Sequence, residues 1–160
     1  MNMKKTLFIC HAAMIAAIYV ALTWLASVLG LSSQAIQVRF SEALCVLPCF
    51  TSAAIPGLTI GCFVANLVTG CMTLDVILGT TATLIGAVGT YLLKKHKILM
   101  LIPPIAANTV IVPFVLKIAY QSPDAYWFMC VTVFIGEVIS VGVLGLILYS
   151  ALNKTKVFKK

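Results

Sequence analysis

The chain has 160 residues, of which 62% are hydrophobic and 9% are charged, and its mean hydropathy is +1.12. This composition excludes an ordinary soluble domain and is typical of an integral membrane protein. The net charge of +7 does not indicate a nucleic-acid partner. The lysines fall in short groups beside apolar runs, at 4–5, 94–97 and 154–160, which is typical of cytoplasmic loops and not of a nucleic-acid-binding surface.

The first apolar run, residues 7–29, is too long for a signal-peptide core and lacks a convincing cleavage site, so we predict that it is the first span. It carries alanines at four-residue spacing, which allow another helix to approach closely in lipid. The partner of this face is either another helix of the same bundle or another membrane subunit. The alanines concerned are Ala12, Ala13, Ala16, Ala17 and Ala21.

Two short apolar segments follow, 41–50 and 53–68, and the first is too short to cross a bilayer comfortably as an α-helix. If 41–68 were one span, the basic loop at 94–97 would lie on the side opposite Lys4 and Lys5. Two crossings bring all the basic groups to one side, in line with the positive-inside tendency.

Three further helices are predicted at 74–93, 98–119 and 125–152, the second with a kink near Pro113. The small residues Gly79, Thr83, Gly86 and Thr90 form a close-packing stripe on the first of these helices. The sequence therefore predicts an all-α integral membrane protein, a six-transmembrane-helix bundle with both termini cytoplasmic and a single domain over residues 1–160.

Under this topology Arg39, Glu42, Asn66 and Asp75 lie at or near the outer ends of helices. Arg39 and Glu42 stand three residues apart between long uncharged stretches, so they form either a salt bridge at the lip or part of a ligand site. Asp75 either begins a helix favourably or binds a ligand.

Asn108 and Glu137 fall near the membrane midplane on two helices joined by a short turn, so both can face one cavity. A carboxylate at this depth is costly and is by default a candidate for function. The alternatives are a hydrogen-bonded structural glutamate and an interhelical asparagine contact.

The sequence contains no phosphate-binding loop, no HExxH or GxSxG motif, and no cysteine or histidine spacing typical of a metal site or disulfide framework. We therefore expect no enzyme, no cofactor and no ATP hydrolysis by this chain. A membrane protein that has a polar site but no recognisable ATP-hydrolysing motif suggests one subunit of a larger complex.

Several blocks carry a family likeness: QVRFSEAL at 37–44, AIPGL at 54–58, LDVILG at 74–79 and Gly136-Glu137. Together they resemble the QueT family over about residues 7–150. The resemblance implies a substrate-binding S component of an energy-coupling-factor importer in the prokaryotic cell membrane, which captures a queuosine precursor from outside. It also implies a transmembrane coupling protein and two cytoplasmic ATPases as partners, with Ala12, Ala13, Ala16 and Ala17 on the docking face.

A 7-deazaguanine presents N1–H and a 2-amino group side by side, and one carboxylate can accept both. Glu137 is our candidate for that contact, with Asn108 and Asn66 for O6 and the ring nitrogens. Glu42 or Asp75 would hold an aminomethyl cation, and Arg39 would pair with Glu42 or close the entrance. The alternatives are an S component for another heterocycle, a stand-alone secondary transporter, or a structural subunit without a ligand.

Overall fold

The computed structural model describes residues 3–31 and 38–155, and within them all the regular secondary structure is helical. Gln37 and the last five residues lie outside the described part. Six helices follow one another within these two described ranges. They are α1 (Met3–Val28), a 3₁₀ helix (Phe40–Cys49), α2 (Ala54–Val68), α3 (Thr73–Leu92), α4 (Ile102–Ile118, after a 3₁₀ turn at Leu99–Leu101), and a last helix made of α5 (Tyr126–Glu137), a π-helical segment (Val138–Leu144) and α6 (Gly145–Thr155).

Four of these helices are long and apolar enough to cross a membrane: Met3–Val28, Thr73–Leu92, Leu99–Ile118 and Tyr126–Thr155. Their bounds agree with the sequence prediction to within a few residues, and the chain has the character of a multi-pass membrane protein. The six-helix count is confirmed. Six full-length spans are not, because Phe40–Cys49 and Ala54–Val68 are shorter. The membrane side of the two termini stays a prediction.

The 3₁₀ helix Phe40–Cys49 is the central element of the bundle. Every residue from Ser41 to Pro48 is buried, and the helix packs against α1, α3, α6 and the π-helical segment. A 3₁₀ helix rises about 2.0 Å per residue, so ten residues cover about 20 Å instead of the roughly 15 Å of an α-helix. Surrounded by other helices, this segment does not need the length of a lipid-facing span.

Close contacts show that α1 and α2 run parallel. A Cβ built on Gly57 would lie 2.8 Å from the carbonyl oxygen of Ala12, and one built on Gly61 would lie 2.8 Å from Cβ of Tyr19 and 3.0 Å from Cα of Ala16. Parallel neighbours require the chain to return across the bundle between them. The 3₁₀ helix Phe40–Cys49 makes that crossing, as the two-crossing prediction requires.

The alanine-rich helix α1 therefore divides into two faces. Ala12 and Ala16 are partly buried against α2, whereas Ala13 and Ala17 are exposed. The sequence had grouped all four as one docking face. The first two contact α2, and the second two lie on the exposed surface of α1. The docking role of all four stays a prediction.

The two ends of the bundle differ in charge. The ammonium of Lys97 lies 5.8 Å from the ring centre of Tyr149, so the α3–α4 loop lies beside α6. We call this the basic end. The far end, opposite it, carries the α4–α5 turn (residues 119–125) and the approach to the 3₁₀ helix at Arg39. Pro113 lies within α4, which continues to Ile118.

Candidate functional site

A cavity of about 500 Å³ opens at the far end of the bundle. Its size falls within the range of small-molecule sites. Polar groups from three helices (α1, α2 and α3) and three connections line it together with an apolar wall from α4. The lining residues are Thr23, Ser27, Arg39, Asn66, Thr69, Cys71, Asp75, Val112, Val115, Leu116, Tyr120 and Ser122.

Asp75 is the carboxylate of this cavity. It lies in the first turn of α3 and is only 6% exposed. Its Oδ2 accepts a hydrogen bond of 3.0 Å from the hydroxyl of Tyr120. A Cβ built on Gly79, one turn further along, would lie 3.3 Å from Oδ1 of Asp75 and 3.2 Å from Nδ2 of Asn66. The absence of a side chain at Gly79 thus leaves room for a carboxylate and an amide side by side.

Arg39 supplies the positive charge of the cavity. It precedes the 3₁₀ helix in an extended conformation, with φ −109° and ψ 107°, and its backbone N–H donates to Oγ of Ser140 at 3.2 Å. The guanidinium interacts electrostatically with both Asp75 and Glu42. Arg39 therefore lies between the cavity and a second group of polar side chains further inside.

Glu42 is the centre of that inner group and is 1% exposed. Its Oε1 accepts a hydrogen bond of 2.6 Å from the hydroxyl of Tyr19, and its Oε2 accepts from Sγ of Cys45 at 3.1 Å. Beside it, Thr23 donates to the hydroxyl of Ser41 at 2.8 Å. Through these contacts α1 is fastened to the 3₁₀ helix by hydrogen bonds inside an otherwise apolar interface.

Asn108 and Glu137 complete the inner group. Nδ2 of Asn108 lies 3.5 Å from Oε2 of Glu42, and the Asn108 side chain also hydrogen-bonds to the carboxyl group of Glu137. Glu137 interacts electrostatically with Glu42 and Arg39. Glu137 is 6% exposed, and its Oε2 is buried without a hydrogen-bond partner. It is also the last α-helical residue before the π-helical segment, and π-helical turns frequently occur at functional sites.

The six predicted site residues thus form two connected groups. Arg39, Asn66 and Asp75 line the cavity, whereas Glu42, Asn108 and Glu137 lie in the inner group. Asn108 and Glu137 are close, as their antiparallel helices led us to expect, but they lie below the cavity wall and not on it. Glu42, expected near the mouth beside Arg39, is buried and bonded to Tyr19. The ligand-binding role of all six stays a prediction.

Sequence reasoning missed the part played by Tyr19. A tyrosine in the middle of an apolar helix was the available signal, because a buried hydroxyl needs a hydrogen-bond partner. In the part of the chain that the structure describes, no group of three or more His, Cys, Asp and Glu side chains is arranged to hold a metal ion.

Comparison with known protein families identifies the family to which this protein belongs. The sequence profile of the family described as "QueT transporter" matches residues 9–154. The chain belongs to the QueT transporter family. QueT membership implies transport of a queuosine precursor, a role consistent with a protein that is not an enzyme. Searches among curated proteins and among solved structures gave no match.

A polar molecule that enters a buried site loses its hydration and needs protein hydrogen bonds in its place. The cavity and the inner group contain hydrogen-bond donors and acceptors as well as positively and negatively charged side chains. Several of them are already hydrogen-bonded within the protein. Oε2 of Glu137 is the buried carboxylate oxygen that remains without a partner.

Proposed function

We propose that this QueT protein is the substrate-binding S component of an energy-coupling-factor importer and that it captures a 7-deazaguanine queuosine precursor from outside the cell. The proposal rests on the polar cavity at the far end and on Glu137, whose buried Oε2 has no hydrogen-bond partner. Arg39 in the cavity wall interacts electrostatically with Glu137 and so connects the two. The far end faces outward if the basic end is cytoplasmic, as the positive-inside tendency predicts.

In this proposal Glu137 accepts the N1–H and 2-amino donors of the deazaguanine. Its Oε2 has no protein partner to give up, and burial makes a paired contact to a carboxylate strong and discriminating. Asn108 is adjacent to it and meets O6 or a ring nitrogen. Because Glu137 lies below the cavity wall, the ligand reaches it by displacing side chains at the inner side of the cavity.

Asp75 is the better candidate for an aminomethyl cation. It lies in the cavity wall beside Asn66, whereas both carboxylate oxygens of Glu42 already accept hydrogen bonds from protein groups. In 7-aminomethyl-7-deazaguanine the amine and the N1 edge lie on different rings. In this proposal Asp75 near the opening meets the amine, and Glu137 further inside meets the N1 edge. Arg39, between them, balances the carboxylates and can donate to O6.

The coupling partners are proposed on the exposed surface of α1. Among the four long helices α1 is the least buried. In its most apolar 18-residue stretch 17% of the residues are buried, against 39–44% in the other three, and Ala13 and Ala17 are exposed. Small residues on a free helix face allow close approach of another helix. We propose that a transmembrane coupling protein docks here, with two cytoplasmic ATPases supplying the energy.

Two experiments test this function. The first is direct binding of 7-aminomethyl-7-deazaguanine and queuine to the purified chain, with an unrelated flat heterocycle such as riboflavin as the competitor. Preference for the vitamin would move the assignment to an S component for another heterocycle.

The second experiment is uptake into proteoliposomes with and without the coupling protein and the ATPases. Uptake that requires the partners and ATP supports the S-component role. Uptake by the chain alone, driven by an ion gradient, would instead identify a stand-alone secondary transporter.

A further inference from the structure

The α4–α5 turn (residues 119–125) is a folded unit at the rim of the cavity. Nζ of Lys117 donates to the carbonyl oxygens of Ser122 and Asp124, at 3.1 and 3.2 Å. The backbone N–H of Ser122 donates to the carbonyl of Leu116 at 3.1 Å. Gln121 has a φ of 49°, a conformation that non-glycine residues seldom adopt. These contacts fasten the turn to the end of α4.

One side chain joins this turn to α3 on the other side of the opening. The hydroxyl of Tyr120 donates to Oδ2 of Asp75 at 3.0 Å and accepts from the backbone N–H of Met72 at 3.2 Å. Met72 is the N-cap residue of α3, where backbone N–H groups lack partners within the helix. Tyr120 is 41% exposed and lines the cavity, so the bridge lies at its rim.

We propose that Tyr120 is a latch and a positioning residue for the cavity: its hydroxyl holds the α4–α5 turn against the start of α3 and sets the rate at which ligand passes into and out of the site. The inference rests on the proposed function only for the identity of the ligand. The latch itself follows from the position of the two hydrogen bonds across the opening.

The chemistry of the bridge suits this role. Burial, followed by the adjacent Asp75 carboxylate, raises the pKa of Tyr120 to about 12, while the bond from the Met72 N–H works in the opposite direction. The phenol therefore remains a hydrogen-bond donor to the carboxylate at neutral pH. While it does so, only Oδ1 of Asp75 is left for the cation of a ligand.

Access to the cavity can be measured without any ligand. Val112 lines the cavity from α4 and is 5% exposed, so a cysteine at this position reports whether a soluble, membrane-impermeant thiosulfonate reaches the interior. Val112→Cys is therefore made in a background in which the exposed and half-buried native cysteines are replaced by alanine: Cys10, Cys49, Cys71 and Cys130. Adding Tyr120→Phe removes the hydroxyl alone. The matched control is Tyr126→Phe, because the hydroxyl of Tyr126 donates to the carbonyl of Val110 at 3.4 Å and does not line the cavity.

We expect Tyr120→Phe to accelerate labelling of Val112→Cys roughly fivefold, since one hydrogen bond to a charged acceptor at a partly exposed site is lost. Tyr126→Phe should leave the rate unchanged. Asp75→Ala, which removes the acceptor, should also accelerate labelling. Equal labelling rates with and without the Tyr120 hydroxyl, in a protein that unfolds at the unaltered temperature, would overturn the latch.

Ligand kinetics separate a latch from a purely structural tyrosine. With 7-aminomethyl-7-deazaguanine, Tyr120→Phe should raise the association and dissociation rates together, by a similar factor, so that Kd changes less than either rate. A loss of affinity at an unaltered association rate would contradict the latch. Faster labelling together with no binding of any deazaguanine would support the latch and contradict the proposed function.

Discussion

Replacing Glu137 by glutamine tests the inner end of the site with almost no change in volume. The substitution converts one carboxylate oxygen into an amide nitrogen, which donates where the proposed ligand also donates. Hydrogen bonds to a charged partner contribute about 1.5–3 kcal/mol and neutral ones about 0.5–1.5. Loss of the paired charged contact should therefore weaken binding by about 2–3 kcal/mol, roughly 30- to 150-fold in Kd.

Glu42→Gln is the informative companion, because the same chemical change there meets protein donors instead of ligand. Tyr19, Cys45 and Asn108 all surround that carboxylate, at 2.6, 3.1 and 3.5 Å. An amide nitrogen facing buried donors costs about 1–3 kcal/mol in folding stability. We expect Glu42→Gln to lower the unfolding temperature by several degrees, and Glu137→Gln to lower it little or not at all.

Titration calorimetry and thermal unfolding in one detergent supply both readouts, with Asp124→Asn as the matched control. Asp124 is exposed in the α4–α5 turn and does not itself line the cavity. Its Oδ2 accepts a hydrogen bond of 3.4 Å from the hydroxyl of Ser122, and because an asparagine amide keeps an oxygen acceptor, the control removes one carboxylate charge only. A dissociation constant of Glu137→Gln within threefold of that of the unmodified protein would show that the unpaired oxygen meets no ligand donor and would remove Glu137 from the proposed site.

Three other variants, one of them paired with a glycine control, probe the packing, the partner face and the outer carboxylate. Gly61→Ala should lower the unfolding temperature, since the added Cβ would lie 2.8 Å from Cβ of Tyr19. The control Gly142→Ala should leave it unchanged, because the nearest atom to its Cβ would be 3.7 Å away. Equal shifts in the two variants would contradict the close-packed α1–α2 interface. Ala17→Leu should abolish co-purification with the coupling protein and leave ligand binding intact, and undiminished co-purification would remove α1 as the docking face. By calorimetry, Asp75→Asn should weaken binding of 7-aminomethyl-7-deazaguanine about tenfold. It should weaken binding of 7-methyl-7-deazaguanine, which lacks the amine, less than twofold. Equal losses for the two ligands would show that Asp75 does not meet the amine.

The long helices were predictable because their signal is simple. An apolar run of membrane length bounded by lysines needs no tertiary information, and α3 begins and ends one residue from its prediction. The 3₁₀ helix Phe40–Cys49 was not predictable as such. Its conformation follows from burial on all sides, which the sequence of ten residues does not specify, and only the charge argument indicated that it crosses the bundle.

The candidate site was predictable in part for related reasons. Antiparallel neighbours with a short connection bring Asn108 and Glu137 together, and that geometry can be worked out from helix lengths. Arg39 and Glu42 differ, because three-residue spacing makes neighbours only inside a helix. Arg39 is extended and precedes the 3₁₀ helix, so its side chain lines the cavity while Glu42 reaches Tyr19.

Isothermal titration of the purified protein with 7-aminomethyl-7-deazaguanine, queuine and guanine measures whether this chain alone binds a deazaguanine. We expect saturable binding of at least one deazaguanine with a stoichiometry near one, tighter than that of guanine, and markedly weakened by Glu137→Gln. Absence of heat from all three ligands, in a protein shown to be folded by its cooperative unfolding, would contradict this expectation.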